Sequence, residues 1–244
     1  MSHISHPYAM RIGILRTWRS RWFSDKEYRA LLREDLAIRD FLQKRLRGMA
    51  VDSVEIERTP ATLSIVIKTA RPGLLIGRGG EGAEKLKGEI RTILATTRKD
   101  IAMTRQSPRQ QKNAGGTKRR QPDMRLVIEE IKTPEAHASI MVEHVAQDLE
   151  KRLPFRRVMK QAIGKMMASR GVIGAKVALA GRLDGSEMAR FEWLKNGKIP
   201  LQTLRADVDF ARGRAHLPYG DIGIKVWIYK GELFEKDEKS KIKN

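Results

Sequence analysis

Two groups of residues in this sequence have types and spacings suited to binding phosphates. The first is a glycine cluster formed by Gly77, Arg78, Gly79 and Gly80. Because glycine has no Cβ, the main chain at such a cluster can approach a phosphate closely. The N-terminus of a helix that follows presents unpaired N–H groups, and Arg78 adds a full positive charge. The pattern therefore predicts a loop that binds anions.

Three interpretations compete for this cluster. Residues 77–82 satisfy G-x-G-x-x-G, but the strand that a dinucleotide site needs just before it is missing, and a basic stretch follows the helix. The same residues satisfy G-x-x-G between two helices, the loop that lies against the nucleic-acid backbone in KH modules. An ordinary helix–helix turn would explain the tetrapeptide alone. The predicted order of helix, strand, strand, helix, G-x-x-G, helix and strand favours the KH interpretation.

The second group is a basic face on a predicted helix. Residues 151–170 carry seven basic side chains and no acid. Arg156, Arg157 and Lys160 lie at i, i+1 and i+4, so they share a sector opposite an apolar stripe, and Lys165 lies further along the exposed side. Solvated faces usually mix charges of both signs. We therefore expect this face to contact phosphates rather than serve solubility alone.

Arrangements for catalysis are missing. His137 and His144 are seven residues apart and could share a helix face, but no carboxylate pair completes a metal site with them. The sequence contains no P-loop, nucleophile elbow or H-E-x-x-H motif. We interpret Asp184 and Glu187, in a glycine-rich stretch, as a turn and helix cap rather than an acid–base pair. The prediction is a protein that is not an enzyme, with no cofactor and no metal.

Composition points to a polyanionic partner. The 244 residues include 49 Lys and Arg against 29 Asp and Glu, a formal net charge of +20. Nucleic acid is the leading partner for such a chain, and an anionic membrane surface comes next. The absence of cysteine excludes disulfides, thiol catalysis and cysteine-based zinc sites. No apolar run has the length of a signal peptide or a membrane helix, so we expect a soluble cytoplasmic protein without membrane contact.

Hydrophobic periodicity divides the chain into an arm, two domains and a tail. Residues 1–23 form a basic and aromatic arm that either stacks on RNA or covers the core. Residues 24–132 carry a helix at 26–47, strands at 51–58 and 63–69, a short helix from Pro72, a helix at 81–96 and a strand at 124–131. A basic stretch at about 98–122 interrupts them as a mobile loop. We expect further RNA contacts from the following residues: Arg11, Arg16, Trp18, Arg19, Arg21, Trp22, Lys118, Arg119, Arg120 and Lys165.

The second predicted domain covers residues 133–234. It begins with helices at 138–152 and 154–171, followed by strands at 173–180, 204–210 and 223–230. Residues 235–244 form a charged tail that we expect to be disordered. Both domains are therefore predicted to be of the α+β class.

Several long motifs occur in an order that resembles one family. They are H-P at residues 6–7, R-I-G-I with W-x-S-x-W-F at 11–23, T-A-R-P-G-L-L-I-G-R-G-G at 69–80, F-R-R-V-M-K at 155–160, G-R-L-D-G-S-E-M-A-R at 181–190, P-L-Q-T-L-R-A-D-V-D-F at 200–210, and Y-G-D-I-G-I-K-V-W-I-Y-K-G-E at 219–232. The chain resembles the bacterial small-subunit ribosomal protein S-three family. It departs from that family in having one basic residue inside G-x-x-G and an insertion at about 98–122.

The resemblance implies a type II KH domain followed by an α+β domain with two helices on a mostly antiparallel sheet. It also implies a structural place in the head of the small ribosomal subunit, beside the mRNA entry channel. The implied partners are small-subunit rRNA, mRNA, and the neighbouring tenth and fourteenth small-subunit proteins. Carried over, the family's mRNA-gripping residues are Arg156, Arg157 and Lys160. The alternative hypothesis is a free KH-type RNA-binding regulator.

Overall fold

The computed structural model describes residues 5–25, 27–104 and 123–234, with side chains left undescribed at 100–104. The chain divides into two compact units. We call Arg19–Glu130 the N-terminal unit, and Met1–Trp18 together with Ile131–Asn244 the C-terminal unit. The predicted arm of residues 1–23 is thus shared between them. In the described part of the chain, no helix is both long enough and apolar enough to cross a bilayer.

The described elements follow one another in this chain order. From the start to residue 130 they are α1 (Pro7–Met10), β1 (Ser20–Arg21), α2 (Tyr28–Arg45), β2 (Val51–Arg58), β3 (Thr62–Thr69), α3 (Pro72–Ile76), α4 (Glu81–Thr104) and β4 (Asp123–Glu130). After them come α5 (Ala138–Glu150), α6 (Phe155–Ala168), β5 (Gly174–Gly181), β6 (Arg190–Gly197), β7 (Ala206–Leu217) and β8 (Gly220–Glu232). The helix–strand order on both sides of the G-x-x-G loop is the predicted one.

The N-terminal unit places its helices on a sheet of order β1-β2-β3-β4. Strand β3 alternates in burial along its length, and its inward residues Leu63, Ile65 and Ile67 meet the apolar face of α4. Strands β2 and β3 are antiparallel, whereas β3 and β4 are parallel. A parallel pair needs a crossover connection, and α3, the glycine cluster and α4 supply it. The predicted KH fold class is confirmed.

Helix α4 is longer than the sequence indicated, because it runs to Thr104 instead of ending near residue 96. The predicted loop start at residue 98 is therefore wrong. Thr97 is buried, and the Arg98 Nε donates to Glu34 Oε1 at 2.9 Å, so these two polar residues are held on the unit. Lys118, Arg119 and Arg120 lie outside the described residues.

A buried charge cluster ties the N-terminal unit together. Arg58, at the end of β2, donates to Asp35 Oδ1 at 2.6 Å and to Glu34 Oε2 at 2.7 Å, both on α2. The Trp22 Nε1 donates to Asp35 Oδ2 at 2.7 Å, and Arg98 joins from α4. The side chains of Arg58, Glu34 and Asp35 are all less than a tenth exposed. The sheet and helix α2 are therefore joined by ion pairs that are almost fully shielded from water.

The C-terminal unit packs α5 and α6 on one face of a fully antiparallel sheet of order β6-β5-β8-β7. Asp209 of β7 accepts the first N–H of α5, from Ala138, at 2.9 Å. Edge strand β6 was missed by the sequence analysis, which left residues 190–197 unassigned. Its polar residues hide the period-two pattern of Phe191 and Trp193 on one face against Leu194 on the other.

We predict that Arg58→Ala strongly destabilises the fold, because it leaves Glu34 and Asp35 buried without their main cation. Breaking a buried ion pair from one side costs about 3–5 kcal/mol. Urea unfolding of the full chain, followed by circular dichroism, measures this loss in the free energy of unfolding.

The matched control is Arg125→Ala, whose ion pair with Asp123 at 3.8 Å is mostly exposed. That control should change the free energy of unfolding by at most about 0.5 kcal/mol. Equal small effects from both variants would contradict a structural role for the cluster.

Candidate nucleic-acid interface

The glycine cluster forms a tight loop between α3 and α4. Gly77, Gly79 and Gly80 all have positive φ angles, of 69°, 61° and 87°, which favour glycine over residues with a Cβ. Arg78 lies in the same turn, and its side chain is exposed, with no ion-pair partner among the described residues. A flexible cation is therefore held on a loop whose main chain is accessible.

The loop is held in place by a close approach of the main chains of α3 and α4. A Cβ on Gly82, in the first turn of α4, would lie 2.6 Å from the Leu75 carbonyl oxygen of α3. Glycine at this position lets the two helices cross without a gap. Glu81 and Glu84 in the same first turn stabilise the helix N-terminus but oppose a phosphate nearby. The local attraction for anions therefore depends on Arg78 and the loop N–H groups.

Apolar side chains border the loop. Leu75 is buried in the core, whereas its neighbours Leu74 and Ile76 are exposed. Neither residue belongs to the predicted phosphate-binding group. Their signal is the run Leu74-Leu75-Ile76, in which three apolar residues on a single helical turn cannot all face the core. The loop thus combines accessible backbone, one cation and an apolar edge.

Helix α6 presents the predicted basic face. Its buried stripe includes Val158, Met159 and Met166, which fix the helix on the sheet. Arg156, Arg157, Lys160 and Lys165 are exposed on the other side. Arg156, Arg157, Lys160 and Gln161 line one shallow, open depression. The structure therefore brings the predicted triplet together on a rigid element.

Ion pairing leaves most of this face available. Arg156 lies 3.5 Å from Glu192 of β6 in an exposed pair. Arg157 and Lys160 have no ion-pair partner among the residues that the structure describes. At the start of α6, the Phe155 N–H donates to Asp184 Oδ1 at 3.4 Å. Residues 183–185 form a short turn, as predicted, but no helix begins at Asp184 or Glu187, so the predicted helix cap is wrong.

Arg11 is not available to RNA, so the predicted contact for this residue is wrong. It is 1% exposed, and its guanidinium donates to the carbonyls of Pro7, Leu201 and Thr203. Burial, which disfavours the charged form, lowers the pKa of Arg11. Sequence reasoning missed this because the carbonyls that receive it come from a loop about 190 residues away.

The other predicted residues of the arm differ in their exposure and in their contacts. The Arg16 Nη2 lies 2.6 Å from Asp207 Oδ1, and although burial opposes its charge, Asp207 and Asp209 raise the pKa of Arg16. Trp18 is 67% exposed. Arg19, Arg21 and Trp22 lie in the N-terminal unit, where Arg19 is exposed, Arg21 pairs with Glu55 and Glu57, and Trp22 donates to Asp35.

Comparison with known proteins matches both units. The family model described as "KH domain" matches residues 37–136, and "Ribosomal protein S3, C-terminal domain" matches residues 145–228. Three curated relatives carry the name small ribosomal subunit protein uS3. That of Endomicrobium trichonymphae is 44% identical over 98% of this chain and 92% of its own length. Those of Syntrophomonas wolfei and Magnetococcus marinus are 43% and 42% identical, over 93% and 95% of this chain and 88% and 97% of their own lengths.

The chain belongs to the uS3 family of ribosomal proteins. Membership confirms the resemblance drawn from the motifs, and it makes this uS3-family chain a structural protein rather than an enzyme. The KH match includes all four residues of the glycine loop, so the KH interpretation replaces the dinucleotide one. The basic face of α6 lies within the match to the C-terminal domain.

Proposed function

We propose that this chain is a structural constituent of the small ribosomal subunit in the cytoplasm. It binds small-subunit rRNA in the head, and the basic face of α6 holds incoming mRNA at the entry channel. The names of the relatives support the place in the subunit. The observation that carries the mRNA contact is the exposed triplet Arg156, Arg157 and Lys160 on one rigid helix. Contacts with the tenth and fourteenth small-subunit proteins rest on the family resemblance alone.

The proposed contact of α6 with mRNA follows from the charge and the rigidity of this helix. Each phosphate that a cation neutralises releases condensed counterions, which favours binding at low salt. Arg157 and Lys160 offer their charges without first breaking an ion pair among the described residues. The exposed pair of Arg156 with Glu192 is worth at most about 1 kcal/mol, so a phosphate can replace the carboxylate. Because a packed helix carries the cations, an mRNA strand that moves past the helix meets charges in a fixed arrangement.

The glycine loop supplies a different kind of contact. Its accessible main chain and Arg78 suit the backbone of rRNA, as in other KH loops. Such a contact fixes position without reading sequence. We therefore assign docking on rRNA to the loop and the mRNA contact to α6.

We expect the protein to sediment with the small subunit in a sucrose gradient, both at low salt and after a high-salt wash. Multiple phosphate contacts and neighbouring proteins keep an integral subunit protein in place. Immunoblotting of gradient fractions measures this. Migration at the top of the gradient at both salt concentrations would favour the alternative, a free KH-type RNA-binding regulator.

We predict that the triple variant of Arg156, Arg157 and Lys160 to Ala assembles normally but translates hairpin-containing mRNA poorly. Loss of three cations should reduce the salt slope for single-stranded RNA by about 2, at about 0.7 per phosphate. The measurements are filter binding by the full chain and translation of paired reporters with and without a stable hairpin.

The control for the triple variant removes three exposed cations from α2 instead: Arg29, Arg33 and Lys44. It lowers the net charge equally but leaves α6 intact, so hairpin translation should stay normal. Unchanged hairpin translation in the α6 variant would refute the proposed grip.

We predict that Gly79→Asp weakens binding to purified small-subunit rRNA about tenfold or more, since a carboxylate would face a phosphate. Asp tolerates the φ of 61° at this position, and no atom lies within 4 Å of an added Cβ, so the fold is retained. Gly79→Asn is the matched control, with the same shape and no charge. Equal affinities for the two variants would show that the loop does not contact phosphate.

A further inference from the structure

The sheet of the C-terminal unit has an outer face, opposite α5 and α6, that is only partly covered. Val177 and Leu179 of β5 point into the core under the helices, so the alternate residues Lys176, Ala178 and Ala180 face outward. Directly paired residues of neighbouring strands share a face. The pairing places Trp193 beside Ala178 and Phe191 beside Ala180 on this outer face.

One half of the outer face is closed by apolar packing. Phe210 and Trp227 lie 5.2 Å apart between ring centroids, next to Tyr229, Ile199 and Leu201. The His6 ring packs edge-on against Phe210 at 4.7 Å. This half is an ordinary small core and leaves no surface for a ligand.

The other half exposes aromatic rings. Phe191 is 61% exposed and Trp193 is 48% exposed, although both are large apolar side chains. They stand two residues apart on edge strand β6, a separation of roughly 6.6 Å along the strand. Two neighbouring rings on one flat sheet face offer stacking surfaces rather than isolated exposed hydrophobics.

Cations share the outer face with these rings. The same half of the face carries five basic residues, as the strand pairing shows: Lys176, Lys195, Arg212, Arg214 and Lys225. The Lys176 Nζ lies 4.6 Å from the Trp193 ring centroid and 5.2 Å from that of Trp227. Burial lowers the pKa of Lys176, and the charge of Lys195 lowers it further. A bound anion would relieve this crowding of like charges.

Carboxylates are few on this half of the face. Within the described positions 176–180, 191–195, 208–214 and 223–227, the acids are Glu192 and Asp209. Both belong to the opposite side, where Glu192 meets Arg156 of α6 and Asp209 caps α5. Asp221, beyond these positions, is bonded to His216 at 2.7 Å. The exposed half therefore carries a net positive charge, with Asp221 at its end.

We infer that this surface, the platform of Phe191, Trp193 and the five cations on the same face, binds an unpaired segment of small-subunit rRNA. Bases stack on the two rings, and the backbone phosphates meet the cations. The inference rests on the proposed place in the small subunit, but it concerns a site apart from the glycine loop and α6.

Unpaired RNA fits the platform better than other partners do. A positively charged surface with aromatic rings is the pattern by which proteins hold single strands, since every base has a π-face. Base-paired RNA would leave the rings without partners, because its bases are stacked inside the helix. The cores of protein interfaces are depleted of lysine, whereas three of the five cations here are lysines.

Ultraviolet crosslinking of purified small subunits, followed by mass spectrometry, tests the inference in the native particle. We expect a nucleotide adduct on Phe191 or Trp193. Adducts on the glycine loop or α6 with none on residues 190–197 would overturn the platform but keep the proposed function. Absence of the protein from the small subunit would overturn both.

The double variant Phe191→Leu and Trp193→Leu tests stacking in solution with the full chain. Each lost stack should weaken binding of a single-stranded oligouridine roughly 5- to 150-fold, while the salt slope stays unchanged because no cation is removed. The matched control is Phe234→Leu, an exposed aromatic next to Arg205 and outside the platform. Thermal unfolding checks that both variants remain folded. Equal oligouridine affinity in the double variant and the control would overturn the inference, as would a crosslink of Lys195 to a neighbouring protein in place of RNA.

Discussion

Repulsion between like charges is the constraint on which the rest of this structure depends. A chain with a net charge of +20 folds only if its cations are separated, paired or turned outward. Several described carboxylates are used inside the units, as Glu34 and Asp35 are with Arg58, and Asp207 with Arg16. This internal pairing has a consequence at the surface, because these buried or partly buried acids do not neutralise the exposed cations. Acids that help to hold the helices on the sheets are therefore buried, and the exposed cations create a positive field that attracts RNA.

The glycine loop and helix α6 present their charges differently, because one is a loop and the other a packed helix. The glycine loop exposes main chain and depends on one arginine, with Glu81 and Glu84 close by in α4. Helix α6 instead displays its cations on a rigid surface that the buried stripe of Val158, Met159 and Met166 immobilises. A loop of positive-φ glycines conforms to a fixed RNA backbone, whereas a packed helix keeps its charges in place while a strand moves past.

Sequence periodicity predicted these elements wherever one physical signal dominated. The apolar stripe of α6 and its basic face lie on opposite sides of one helix, so both followed from spacing alone. Strand β6 was missed because its polar residues hide the alternation. Arg11 was assigned to RNA because type and position do not reveal burial, which carbonyls from a distant loop determine. The extra turns of α4 likewise depend on a distant contact, in which Arg98 donates a hydrogen bond to Glu34 of α2. Contacts between residues far apart in sequence leave no local signature, which explains the differences at Arg11 and α4. The difference at β6 arises instead from its mixed pattern of polar and apolar residues.

The platform on the outer face adds contacts with bases to the contacts with phosphates. Cations alone bind any polyanion, so the loop and α6 distinguish RNA from other anions only through geometry. Exposed rings add a second requirement, a π-face that is free to stack, and paired RNA does not offer one. A protein that keeps Phe191 and Trp193 exposed on an edge strand gives up the apolar stabilisation that burying them would bring. Such exposure is retained in a marginally stable fold when a partner covers it, and the net positive surroundings favour a partner that carries phosphate.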